Sequence, residues 1–154
     1  MAMRRTEKEI TDRDAIDAVI RRCQVCRLGM VDGDVPYVIP LCFGYDGRCL
    51  YFHCAPAGRK LDVLRRNNRV CFEFDLLEGL VEADEACSWG IRYRSVIGTG
   101  TAHIVEDAAG KRQALTALMA QYSPKAFTFP EGTLARTLAI RVTVDSITGK
   151  QSAR

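Results

Sequence analysis

Apolar positions recur at spacings of three and four in some stretches of this chain and form short β-rich runs in others. Ile16, Val19, Ile20 and Cys23 fall on one helical face, and Thr11 followed by Asp14 resembles a helix start, so the pattern predicts a helix over 12–23. The period then changes. Val25 to Val31, Pro36 to Gly44 and Arg48 to Cys54 are apolar runs separated by Asp32-Gly33-Asp34 and Asp46-Gly47, which read as hairpin turns. These runs are predicted to form a three-stranded antiparallel meander. Pro40 lies inside its run without a backbone donor, and so marks an edge, a bulge or an opening in the ladder.

Further along, Leu61 and Leu64 predict a short helix over 60–66 that ends at Asn67-Asn68. A strand over 69–76 follows, then a long one over 93–105 whose Gly98 and Gly100 permit the curvature that closing a small barrel demands. Glu106-Asp107 opens a second amphipathic helix with Leu115, Leu118, Met119 and Tyr122 on one face, and 123–133 reads as a loop. In the last strand Leu138, Ile140, Val142 and Val144 point to the core, while Ala139, Arg141, Thr143 and Asp145 point to water. The order lacks the repeated strand-helix-strand alternation of a parallel sheet. It predicts a single domain over 1–154, mainly β with inserted helices (α+β), in which six or so antiparallel strands make a small closed or split barrel.

Composition narrows the functional classes. The chain has 154 residues, 47% of them hydrophobic and 27% charged, which excludes disorder. A net charge of +3 does not by itself call for nucleic acid or a membrane, and no apolar run approaches the length of a membrane span. Seven cysteines are an odd number with no signal peptide ahead of them, which predicts a cytosolic protein with reduced thiols. Cys23 and Cys26 form a Cys-x-x-Cys pair without the further ligands of a zinc site, and at the wrong end of a helix for a redox dithiol. Cys42, Cys49, Cys54 and Cys71 fall in apolar runs, where cysteine acts as a small hydrophobe. The two histidines, His53 and His103, read as hydrogen-bonding side chains rather than catalysts.

The segment from His53 to Lys60 runs from a strand end through small residues into a helix whose first turn carries two cations. Free backbone donors and the helix dipole favour an anion there, and Arg59 and Lys60 add charge-assisted bonds suited to phosphate. The alternative is a solvated basic turn, continuous with Arg65, Arg66 and Arg69. Tyr93-Arg94-Ser95 supplies polar side chains that either serve the same ligand or pair across strands on a wet face.

Five ordered blocks then carry a resemblance: Pro36-Tyr37-Val38-Ile39-Pro40-Leu41, Gly44-Tyr45-Asp46-Gly47, Leu50-Tyr51-Phe52-His53, Gly58-Arg59-Lys60-Leu61-Asp62 and Tyr93-Arg94-Ser95-Val96-Ile97. Together they resemble the nitroimidazole-resistance-type branch of the pyridoxamine-phosphate-oxidase-like flavoproteins, over roughly Arg4 to Tyr122. The resemblance implies a six-stranded split barrel that binds FMN at a homodimer interface, each site using residues of both subunits. It implies that Gly58, Arg59 and Lys60 hold the FMN phosphate. Val38, Ile39, Pro40, Leu41 and Phe43 would lie along the isoalloxazine, Phe52, His53 and Cys54 along the ribityl chain, and Tyr93, Arg94 and Ser95 would add polar contacts. It implies no metal and no catalytic side chain, since a flavin performs the electron transfer itself. One position departs from the pattern, because Arg59 stands where nitroimidazole-resistance proteins proper often carry a histidine linked to their redox chemistry. The expectation is an FMN-dependent oxidoreductase acting on a small molecule, a nitro compound among the candidates. The competing readings are a non-catalytic binder of flavin, deazaflavin or haem, and a basic nucleic-acid-binding barrel built on Arg59, Lys60, Arg65, Arg66 and Arg69.

Overall fold

A computed structural model describes residues 4–152, so the extreme ends of the predicted 1–154 domain lie outside the described residues. The elements in order are β1 (Glu9–Ile10), α1 (Arg13–Arg22), β2 (Cys26–Asp32), β3 (Val35–Leu41), β4 (Gly44–Tyr45), β5 (Cys49–Cys54), α2 (Arg59–Arg66), β6 (Arg69–Val81), β7 (Gly90–Val105), α3 (Ala108–Tyr122), α4 (Glu131–Ala135) and β8 (Leu138–Gln151). Asp12, rather than Thr11, caps α1, accepting from the amides of Asp14 at 3.4 Å and Ala15 at 3.2 Å. Its side chain thereby satisfies donors that a helix start leaves orphaned.

All strands join one antiparallel sheet in the order β3-β2-β6-β7-β8-β5-β4, with β1 added to β8. Six strands are long and two, β1 and β4, have two residues each, so the six-stranded barrel expectation holds. The meander does not. β2 and β3 form one hairpin, β4 and β5 another, but β5 pairs with β8 instead of β3, and the hairpins lie at opposite ends of the path. The division falls just after Pro40, where the chain leaves the β3 ladder and enters the other end of the sheet.

Within the first hairpin, Gly33 at φ 64° takes the first central position of a two-residue turn, as a type II′ turn requires. Asp32 pairs with Val35 to close that turn, so alternate residues from Val35 bond to β2, while Pro36, Val38 and Pro40 direct their backbone groups outward. Both prolines therefore fall where a missing N–H costs no ladder bond. Along this free edge the donor is the Val38 N–H and the acceptors are the carbonyls of Pro36, Val38 and Pro40.

The core gathers Phe43, Phe52, Phe72, Phe74, Leu28, Leu50 and Ile140 inside the curled sheet, capped by Val19 and Ile20 of α1 and Leu61 and Leu64 of α2. Phe43 and Phe74 are in ring contact at 4.7 Å. α3 closes the seam between the hairpins. The Tyr122 hydroxyl donates to the Gln24 carbonyl at 2.8 Å and accepts from the Phe43 amide at 3.0 Å. Beside it the Gln121 amide donates to the Cys23 carbonyl at 2.9 Å.

Other expectations need correcting. β6 continues to Val81 and β8 to Gln151, because each keeps pairing with β7 beyond its apolar stretch. Within the 123–133 loop, α4 begins at Glu131. The face of β8 assigned to water is covered at Ala139, which packs with Tyr51 and Ala114 under α3. α3 is itself scarcely amphipathic: it buries Lys111 and Ala114 with Leu115 and Leu118, while Met119 is half-buried and Tyr122 exposed.

Candidate functional site

The start of α2 joins an uncapped helix N-terminus to two consecutive cations, Arg59 and Lys60. Gly58 occupies the N-cap at φ 138°, a backbone region that disfavours side chains, and supplies no side-chain cap. Its carbonyl accepts from the Leu61 and Asp62 amides at 3.0 and 3.3 Å. The Arg59 and Lys60 amides at the helix start have no acceptor within the helix, and its positive dipole end adds to them. Lys60 is half-buried. Among the described residues, the ion pairs of this helix engage Arg59, Arg65 and Arg66 but leave Lys60 out. Cys54, at the end of β5, lies close enough for the Lys60 charge to act on it. Burial nevertheless dominates and raises its pKa, so Cys54 is a neutral thiol beside the cation.

Arg59 is oriented differently from Lys60. Its Nε donates to Asp32 Oδ2 at 3.0 Å, and its guanidinium lies 4.3 Å from the centre of the Tyr37 ring. Arg66, two turns further along the same helix face, donates to the other oxygen of Asp32 at 2.6 Å. One carboxylate in the β2–β3 turn thus ties down both ends of α2. No local signal in the sequence indicates this, since Asp32 is by itself an ordinary turn residue and Tyr37 one apolar position among several.

The other expected site residues divide. On β3, Val38 and Pro40 are exposed while Ile39 and Leu41 are half-buried against the core. Phe43 and Phe52 are fully buried, so their side chains belong to the core. His53 is exposed and Cys54 half-buried at the end of β5, next to the α2 start. Tyr93, Arg94 and Ser95 are elsewhere in the chain. His53 aligns through Ala139 with Val105, and Tyr93 lies twelve residues back along β7 from that point. That separation corresponds to about 40 Å of strand contour. There the Tyr93 carbonyl accepts from the Ser152 amide at 3.0 Å, the Tyr93 amide donates to the Ser152 hydroxyl at 3.2 Å, and Arg94 pairs with Glu78 at 3.4 Å. A trough of about 730 Å³ adjoins Tyr93, lined by Lys8, Asp75, Leu77, Val81 and Ile91.

The cysteines are free thiols, as expected. Cys42 and Cys71 are exposed rather than packed as small hydrophobes, because their positions face outward. Burial pushes the Cys23 thiol up to about 11 and that of Cys26 higher still, which removes the thiolate a redox pair would need. In the native protein these two should resist a thiol reagent at neutral pH, whereas unfolding without reductant should release all seven. Rapid native labelling at Cys23 would contradict this assignment.

The chain is an antiparallel split barrel with an uncapped, glycine-initiated helix start beside a proline-blunted edge strand. Residues 12–151 match the family described as pyridoxamine 5'-phosphate oxidase, and the chain belongs to that family. A solved structure of a candidate 5-nitroimidazole antibiotic resistance protein from Bacteroides thetaiotaomicron is 35% identical. It superposes with a TM-score of 0.84 over 93% of this chain and 86% of that one. The FAD and haem binding protein from Mycobacterium smegmatis is 25% identical, with a TM-score of 0.86 over 96% and 74% of the two chains. A flavocytochrome from Azotobacter vinelandii, at 23% identity and a TM-score of 0.86 over 99% and 73%, supports the fold alone. No curated protein matches the sequence. The resemblance carried by the five sequence blocks is thereby borne out. Among the described residues no helix is long and apolar enough to cross a membrane.

Proposed function

We propose that the protein binds FMN through the start of α2 and the free edge of β3, and that it is an oxidoreductase acting on a small molecule. The observation that carries this is the Gly58–Lys60 turn, where helix-start amides without intrahelical acceptors meet an ammonium that, among the described residues, has no carboxylate partner. This donor set fits a phosphate monoester. The β3 edge, with its carbonyls and single Val38 N–H, complements a heterocycle whose rim alternates donors and acceptors. The FAD and haem binding protein, 25% identical, supports flavin chemistry within the family. A flavin bound here would supply the electron transfer. The chain's own groups would bind the phosphate, orient the ring edge and exclude water.

The same reading includes a homodimer. Tyr93–Ser95 and the α2 start lie on different parts of one chain, and a second copy would bring the two to one ligand. Val38, Leu77 and Ile97 present exposed apolar side chains that such a copy would cover. Purified protein incubated with FMN and dialysed should be yellow, with a flavin spectrum, and should scatter light as two chains. A colourless protein would refute the flavin reading, and a stable monomer at micromolar concentration would refute the shared site. Oxidation of a reduced nicotinamide by the flavin-loaded protein with an added acceptor separates an enzyme from a carrier.

A further inference from the structure

We infer that Arg59 is a positioning residue for the anion-binding turn. It locks the α2 start to the β2–β3 hairpin, holding the phosphate-binding turn at a set distance from the β3 edge. This inference rests on the FMN reading above. Three observations carry it. The Arg59 Nε is committed to Asp32 at 3.0 Å, and its guanidinium stacks over Tyr37 at 4.3 Å. Asp32 also accepts from Arg66 at 2.6 Å, so the carboxylate grips α2 at both its first and last turns. Tyr37 is itself packed against the core, which gives the stack a fixed base.

A two-ended ligand gains from such a lock, because its phosphate and ring sites are already at the right separation when it arrives. An arginine that is planar, permanently charged and able to stack suits the locking role better than lysine would.

The two roles for Arg59 predict opposite signs for one substitution. If Arg59 is a lock, Asp32→Asn releases the hairpin and weakens FMN binding about threefold or more, as does Arg59→Ala, in line with what exposed ion pairs and cation–π contacts contribute. The double variant should then lose less affinity than the two single losses combined. If Asp32 instead only draws Arg59 away from the phosphate, Asp32→Asn frees its guanidinium and removes a nearby negative charge, and FMN binding tightens. Flavin fluorescence titration of the folded variants distinguishes these, with thermal melts run alongside. Tightening in Asp32→Asn overturns the lock, as does a lowered melting temperature with unchanged FMN affinity in both single variants. If the unsubstituted protein binds no FMN at all, the flavin reading fails and this inference fails with it.

Discussion

Lys60→Ala should weaken FMN binding roughly tenfold to a hundredfold, the equivalent of about 1.5 to 3 kcal/mol for a lost charge-assisted bond to phosphate. The side chain is half-buried at the first turn of α2, beside amides with no partner within the helix, and among the described residues no carboxylate competes for it. Arg65 is exposed and already faces Asp62 at 3.5 Å, so Arg65→Ala should alter the dissociation constant only slightly. Arg66→Ala loses its bond to Asp32 but leaves the Arg59 contact in place, and so should fall between the two. Riboflavin, which lacks the phosphate, should bind the Lys60→Ala variant as well as it binds the unsubstituted protein. Equal losses of FMN affinity at Lys60, Arg65 and Arg66 would mean a diffuse basic surface in place of a defined phosphate site.

Phe43→Ala should cost about 3 to 5 kcal/mol of stability, the range for removing a fully buried aromatic ring from a core. Phe43 has no exposed surface, its ring contacts Phe74 at 4.7 Å, and its amide is held by Tyr122 from α3. The urea midpoint of the ligand-free protein should fall with the slope of the transition unchanged. The flavin affinity of whatever fraction remains folded should hardly move, because the ring faces away from the β3 edge. A variant that keeps its stability and loses FMN would return Phe43 to the cofactor-lining role that the sequence motif suggests.

What the sequence determined by itself was local. Residues at spacings of three and four specify α1 and α3, because a helical face is set by side chains within one or two turns of each other. Asp32-Gly33-Asp34 specifies a hairpin, because its register depends on the turn at its tip. The anion-binding turn was also legible, since Gly58, the helix start and Lys60 are contiguous in the chain. Tertiary structure decided everything that required choosing among distant partners. Nothing local to β5 states that it will pair with β8 rather than β3, for both pairings satisfy the same apolar alternation and only closure of the whole sheet separates them. Phe43 and Phe52 turn inward, and Ala139 disappears under α3, only once the sheet has curled and α3 has covered the seam. Arg59 shows the same division at one residue: its charge and its place at a helix start suit a phosphate. Its partners, however, are a carboxylate twenty-seven positions earlier and a tyrosine on the edge strand. The fold brings these together before any ligand arrives, and a guanidinium already paired and stacked has fewer donors left to offer.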